Sequence, residues 1–486
     1  MFDIEIQAIS LEFAVLAVGL FMLVVEGFYG GRDRSQFAWG GILALGVVLI
    51  ITFFITPATG PAAVGGLYSG DALALFFKRI ALATTIFVLI MAMDYAPVIR
   101  RFIPSSNDQA GLGEFYSLPV LACAGMMWMA SATDFIMIFV ALELVTVSFY
   151  VLVAFLRRSA GSLEAGVKYL ILGALSTGFL VYGIAWIYGA TGHTNLAEIG
   201  IRLQSGEVNE TAALFGLLLV LVGLGFKVAA VPFQFWVPDV YQGAPTPITA
   251  FLSVGSKAAG FVVLMRVIEP FLNSPLGPKV GTVLVALAML TLIFGNLAAL
   301  PQRNFKRLMA YSSIAHAGFL IAALAAAYGP AENIFPGVAI SYYLVGYMVM
   351  TLLAFLVMIL VANHTKGDDL NDFNGLGKRS PFLAGMMLIS AMSLAGVPLT
   401  AGFFGKFLVL KATLSQHLWV LSGVVIFSAA CGFYYYLKVV RAMYWQAPND
   451  DSPVVTPMPS KIAITVLAVL VFVIGIFPEP VMALLQ

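Results

Sequence analysis

The chain has 486 residues, 61% of them hydrophobic and only 10% charged, with a formal net charge of +1 and a mean hydropathy of +0.98. Soluble domains average about 25% charged residues, so this composition specifies an integral membrane protein with many spans. The near-neutral charge argues against a nucleic-acid partner. Two distant cysteines, Cys123 and Cys431, and four scattered histidines lack the spacing of an iron–sulfur, zinc or haem site.

The N-terminus, Met1 to Glu5, lacks the basic region of a cleaved signal peptide, so the first helix is expected to be retained. Apolar windows of ~20 residues then give about fourteen candidate spans. They fall near 8–29, 36–57, 72–94, 115–131, 134–156, 163–189, 211–241, 246–268, 280–300, 306–328, 334–362, 381–412, 417–445 and 460–484. The expected fold class is therefore an all-α polytopic bundle. The longest joints lie near 95–114, 190–210 and 363–380. With both termini outward, Arg32, Arg34, Arg100, Arg101, Arg157, Arg158, Arg303, Lys306, Arg307, Lys366, Lys378, Arg379, Lys438, Arg441 and Lys461 face inward. Only Lys78, Arg79, Arg202, Arg266, Lys279 and Lys411 face outward. That bias follows the positive-inside rule and favours an even number of spans. Trp186, Trp236, Trp419 and Trp445 fall near span ends, where amphipathic rings settle.

Two spans are interrupted. The seventh contains Pro232 and Pro238, and the twelfth contains Gly396, Pro398 and Gly402. Proline removes a backbone donor and clashes with the preceding turn. Unpaired backbone at membrane depth survives only against protein or water. Both breaks carry Ala-(Ala/Gly)-Val-Pro, at 229–232 and 395–398, five helices apart. An odd offset inverts one unit relative to the other, as an inverted repeat requires, and matched broken helices point to a transport site.

Charges stand inside these spans. Lys168, Lys227, Lys257, Lys406 and Glu143 each sit in an apolar run. A charge there costs at least about 2.5–3.5 kcal/mol on insertion scales, so the default reading is an ion or proton path. At 1.5 Å per residue, Glu143 and Lys257 both lie about 15–16 Å deep, near the midplane. Glu143 and Lys227 form a switchable acid–base pair or, alternatively, a static buried ion pair. Lys257 has no partner visible in the sequence. Lys406 follows the second break and relays charge or snorkels outward. Lys168 follows Glu164 at i+4, and a helix-surface pair accounts for it. His316, nine residues beyond Arg307, is a proton shuttle or a neutral hydrogen-bonded ring. Asp239 admits protons or caps a turn. Lys306, beside Arg303 and Arg307, reads as an interfacial anchor, and the Phe and Met residues as packing.

At these residues a resemblance emerges. Phe226-Lys227-Val-Ala-Ala-Val-Pro-Phe-Gln-Phe-Trp-Val-Pro-Asp-Val-Tyr-Gln-Gly-Ala-Pro-Thr-Pro, then Ser256-Lys257, then Gln302 through His316, resembles the antiporter-like subunits of respiratory complex I. Chain length and Lys406 in Gly-Phe-Phe-Gly-Lys-Phe resemble the subunit N branch most closely. Subunit L would add helices and a lateral arm, and subunit M typically has glutamate where Lys406 stands. The resemblance covers essentially the whole chain. It implies a three-helix segment (1–110), two inverted five-helix repeats (111–270 and 271–447) and a C-terminal helix (448–486). By position, Glu143 and Lys227 match the acid–lysine pair, Lys257 the connecting lysine, Lys406 the lysine of the outward half, and His316 a polar position of the tenth span. The implied function is proton translocation within NADH–quinone oxidoreductase in a bacterial inner membrane. Neighbouring membrane-arm subunits are the implied partners. Flavin, iron–sulfur clusters and quinone are expected in other subunits, with no cofactor or metal in this chain. The alternatives are a subunit of a multi-subunit sodium/proton antiporter and a non-catalytic membrane scaffold.

Overall fold

The computed structural model describes residues 9–29, 34–57, 65–102, 112–327, 336–365, 367–448 and 452–485. Met1 to Glu5, Arg32 and Lys366 lie outside the described residues. Among the described residues, each predicted span coincides in the main with helix. The first half comprises α1 (Ser10–Phe28), α2 (Ser35–Thr52), α3 (Ala72–Phe102), α4 (Leu112–Ser131), α5 (Phe135–Val153), α6 (Ala160–Thr191), α7 (Leu196–Gln204), α8 (Glu210–Val228), α9 (Trp236–Gly243), α10 (Thr246–Phe251) and α11 (Lys257–Leu272). The second comprises α12 (Gly277–Ala299), α13 (Phe305–Ala325), α14 (Pro336–Thr365), α15 (Leu376–Arg379), α16 (Pro381–Ala395), α17 (Ala401–Ser415), α18 (Trp419–Trp445), α19 (Met458–Ile476) and α20 (Glu479–Ala483). Among the described residues, β structure is limited to isolated bridges.

Among the described residues, twelve helices are long and apolar enough to cross a membrane. Helix α4, with Glu114 and Pro119, and the broken α16–α17 pair fall outside that set. The chain is thus a polytopic all-α membrane protein. In the predicted loop 190–210 the structure has α7, whose Leu196, Ile199 and Leu203 turn inward. Asn195 caps it by accepting from the amides of Ala197 (3.0 Å) and Glu198 (3.3 Å).

Lipid tails are as apolar as leucine, so these helices associate through close packing. Small residues permit it between α6 and α8, where a Cβ on Gly183 would lie 2.6 Å from the Gly216 carbonyl. Between α12 and α13, a Cβ on Gly318 would lie 2.8 Å from the Leu292 amide nitrogen. Three segments form the axis: in Thr246–Leu272, Phe305–Ala325 and Gly337–Thr365, 94% of the most apolar stretch is buried. Helices α2, α6 and α19 instead present rows of exposed apolar residues.

Two surface expectations are corrected. Trp236 is no interfacial anchor; it is buried among Tyr169, Phe226 and Tyr241. Lys78, counted with the outward-facing basic residues, is 1% exposed inside α3.

Candidate functional site

Helix α8 stops because Ala229 takes a left-handed backbone (φ 66°), and the Ala230 amide closes onto the Gly225 carbonyl (2.8 Å). Pro232 and the groups around it keep the chain from resuming at once. Protein atoms satisfy the freed backbone: the Trp236 indole donates to the Phe226 carbonyl (2.9 Å), and Thr291 accepts from the Val231 amide (3.0 Å). Lys227, in the last turn of α8, is therefore not needed as a cap. Its ammonium points to α5 and donates to the Thr146 hydroxyl. Glu143 lies three residues before Thr146 and accepts from Thr177 of α6 at 2.9 Å. Among the described residues, no Glu143–Lys227 ion pair closer than 4.0 Å is formed. Glu143 and Thr146 lie three residues apart on α5, and a hydroxyl is bonded to each of Glu143 and Lys227.

A π-turn, Leu252–Ser256, precedes α11 and sets the angle of Lys257. Lys257 donates to both the carbonyl and the hydroxyl of Ser313 on α13 and lies 5.4 Å from the Tyr347 ring centroid. One turn further along α11, Gly260 faces Lys227; a Cβ there would stand 3.5 Å from Lys227 Cβ. Helix α13 continues the line at i+3 spacing with Ser313, His316 and Phe319. His316 bonds to the Tyr343 hydroxyl (2.7 Å) through Nδ1 and to the Tyr436 hydroxyl (3.2 Å) through Nε2. Tyr436 also bonds Ser312. Lys406 lies 5.4 Å from the Phe319 ring centroid.

The second break has different chemistry. Gly396 takes the left-handed backbone (φ 93°), and the Val397 amide closes onto the Met392 carbonyl (3.0 Å). The shared tetrads are thus one residue out of register: the left-handed residue is the first of 229–232 but the second of 395–398. Lys406 reaches back from α17 and donates to the Leu394 and Ala395 carbonyls, both at 2.8 Å. It caps the negative end of α16 rather than snorkelling outward.

At one mouth of the bundle, an open cleft of about 620 Å³ is lined by Glu164, Asp239, Lys306, Arg307 and Asp368, among others. Lys168 pairs with Glu164 (2.7 Å), as the i+4 spacing predicted, and also with Asp239 (2.6 Å). Asp239 in turn pairs with Arg307 (2.7 Å). It is a bridge between α6 and α13, a role the local sequence did not reveal. Lys306 is 6% exposed and donates to the Gln242 (2.9 Å) and Ala244 (3.0 Å) carbonyls, so it fastens α13 to the C-terminal end of α9 instead of anchoring at the interface.

Sequence reasoning missed a buried cluster between α1 and α3. Lys78 contacts Glu12 at 2.7 Å and donates to Tyr68 at 2.5 Å, and Tyr68 donates to Glu12 at 3.0 Å. The signal was present: Glu12 lies inside the first apolar window, as Glu143 lies inside the fifth. Nearby, burial alone would raise the Asp71 carboxyl, but two hydrogen bonds from Arg266 (3.0 and 2.8 Å) hold it below the usual carboxylate range. Among the described residues, no group of three or more His, Cys, Asp or Glu side chains is arranged to hold a metal ion.

Comparison with known proteins identifies the family of the chain. The family described as "NADH:quinone oxidoreductase/Mrp antiporter, TM" matches residues 132–432, which contain all the lysines and the histidine of the central line. NADH-quinone oxidoreductase subunit N of Dehalococcoides mccartyi is 35% identical over 98% of this chain and 97% of its own. A chain of respiratory complex I from Thermus thermophilus, solved with bound aureothin, aligns with a TM-score of 0.77 at 32% identity, covering 96% of this chain and 98% of that one. A chain of the Mrp complex from a Dietzia species shares the fold, with a TM-score of 0.81 at 18% identity over 98% of this chain and 96% of that one. The chain belongs to the NADH:quinone oxidoreductase/Mrp antiporter transmembrane family, within its NADH-quinone oxidoreductase subunit N branch.

Proposed function

We propose that this chain is the subunit N type proton translocator of an NADH–quinone oxidoreductase membrane arm. One observation carries the reading: Lys227, Lys257 and His316 are buried in the bundle, hydroxyls hold both lysines, and His316 and Phe319 lead along α13 from Lys257 toward Lys406. Lysine and histidine can each exist with or without an extra proton, and such groups in a membrane interior mark proton paths. The Lys168–Asp239–Arg307 cleft is the mouth from which a proton would approach Lys227.

Our reading of the relay is electrostatic. Bringing Glu143 closer to Lys227 strengthens the hold on its proton; drawing it away weakens that hold. Thr146 keeps the amine oriented in both states. The proton then passes to Lys257, across Ser313 and His316, and on to Lys406, with water filling gaps longer than a hydrogen bond. Redox chemistry at NADH, flavin, iron–sulfur clusters and quinone belongs to partner subunits in this proposal, and the work reaches this chain through them. The proposal includes two inverted units (111–270 and 271–447) centred on the breaks at Pro232 and Pro398, after the segment 1–110 and before the helix of 448–486. It also includes a bacterial inner-membrane location with both termini on the periplasmic side.

The test is NADH-driven proton uptake by inverted membrane vesicles carrying Lys227→Ala. Loss of uptake with retained assembly supports the proposal; normal uptake with normal quinone reduction sinks it. The family also includes Mrp antiporters. Sodium-dependent flux without NADH or quinone would favour that second reading.

A further inference from the structure

At the end of α12 and α18, away from the central line, an open cleft of about 830 Å³ is bounded by the loop Pro301–Gln302–Arg303, by Asp369, Leu370, Asn371 and Asn374, and by the last turns of α18. Three cations meet there: Arg303, Lys438 and Arg441. Lys438 donates to the Leu300 (2.8 Å) and Gln302 (2.9 Å) carbonyls, which fixes it between the two helices. Among the described residues, the guanidiniums of Arg303 and Arg441 have no carboxylate partner. Among the described residues, Asp369 is the one acid lining the cleft, and its carboxylate is already engaged in the cap of Leu370–Phe373 and by Asn304.

The surface beside this cleft is apolar. On α18, Leu437, Arg441, Tyr444 and Trp445 share one face by i, i+4, i+7 and i+8 spacing, and all three apolar members are exposed, Trp445 at 73%. Helix α12 packs on α18 and exposes Leu290, Ile293, Phe294 and Leu297. A strip suited to hydrocarbon thus runs up to a group of free guanidiniums flanked by an aromatic pair. Aromatic residues with basic neighbours mark the level of lipid headgroups.

We propose that this cleft is a binding site for an anionic phospholipid. Its phosphate sits between Arg303 and Arg441, with Lys438 supplying further positive charge, and its acyl chains lie along the exposed strip of α12 and α18. Planar guanidiniums suit the recognition of phosphate oxygens, and basic pockets between transmembrane helices hold such headgroups by the same chemistry. The inference involves no step of proton transfer, so it stands or falls separately from the relay.

The test uses the intact complex in native membranes with a photoactivatable phosphatidylglycerol, followed by peptide mapping of the label on this chain. Label is expected in the strip of α12 and α18, competed by unlabelled phosphatidylglycerol and not by phosphatidylcholine. R303Q/R441Q should cut it by roughly 10–30-fold, from the value of a basic residue at an anionic surface. R100Q/R101Q, which removes two exposed arginines elsewhere, should leave it unchanged. Absence of label, equal loss in both double variants, or competition by inorganic phosphate as effective as by the lipid would each overturn the assignment, the last by identifying a free-anion site.

Discussion

The two helix breaks share a sequence tetrad but use their lysines in opposite ways. At the first, Trp236 and Thr291 satisfy the opened backbone, which leaves Lys227 free to meet a side chain, Thr146. At the second, Lys406 itself bonds the carbonyls exposed at the end of α16. One amine is therefore held by a hydroxyl that can rotate, the other by fixed peptide dipoles. A lysine in a broken transmembrane helix can thus be a structural cap, a titrating group or both, and only its acceptors tell which. We read Lys227 as the group whose environment changes during the cycle and Lys406 as a terminal station tied to the fold.

A third arrangement stretches this contrast furthest. Lys78 meets a carboxylate, Glu12, inside the bundle. Lys78→Met leaves that carboxylate buried without a cation and should destabilise by about 3–5 kcal/mol, with most of the loss recovered in the double variant with Glu12→Gln. Thermal unfolding in detergent measures both. Next, Lys406→Met strips two backbone acceptors and should cost about 2 kcal/mol. Lys227→Met should cost less, because Thr146 keeps its bond to the Leu142 carbonyl (2.6 Å). Equal losses of melting temperature would erase the distinction between cap and free amine. The left-handed residues give a smaller pair of effects. Gly396→Ala puts a Cβ 3.0 Å from Lys406 Cδ at φ 93° and should cost about 1–2 kcal/mol. Ala229→Gly relieves φ 66° and should be neutral or stabilising by up to about 1 kcal/mol. If both variants destabilised alike, the one-residue offset between the breaks would carry no energetic meaning.

The smallest effect is a pH dependence remote from both breaks. Because Asp71 is held below its ordinary value, its pairing with Arg266 stabilises fully above the usual carboxylate pKa of about 4 and is lost as pH falls through the depressed folded value. Stability should thus be flat in this respect between about pH 7 and 5 and fall below about pH 4. Arg266→Gln should abolish the shift. The Asp71 side chain is 35% exposed, so solvent screening keeps the effect small. Unfolding curves across this range check it.

Much of the fold was legible in the residues. The apolar windows, the prolines and glycines of the two breaks, and the buried positions of Lys227, Lys257 and His316 follow from hydropathy and backbone chemistry alone. Lys168–Glu164 followed from helix spacing. Pairings across the bundle did not, since they join residues far apart in sequence: Lys227 with Thr146, Lys257 with Ser313, Asp239 with Arg307, and Glu12 with Lys78. Lys78 was counted only among the outward-side basic residues, because its burial becomes visible only when α1 supplies its acid, Glu12. Trp236 was misplaced because it falls near the end of the interrupted seventh span, and only the fold shows that the break turns its ring back against Phe226.

By itself the sequence determined that this chain lies in a membrane, where its helices run, and which of them carry charge, because the cost of burying polar groups in hydrocarbon depends on composition along the chain. Tertiary structure alone decided what each buried amine touches. That depends on which helix faces stand opposite one another, and close packing between small residues, rather than local propensity, sets those faces.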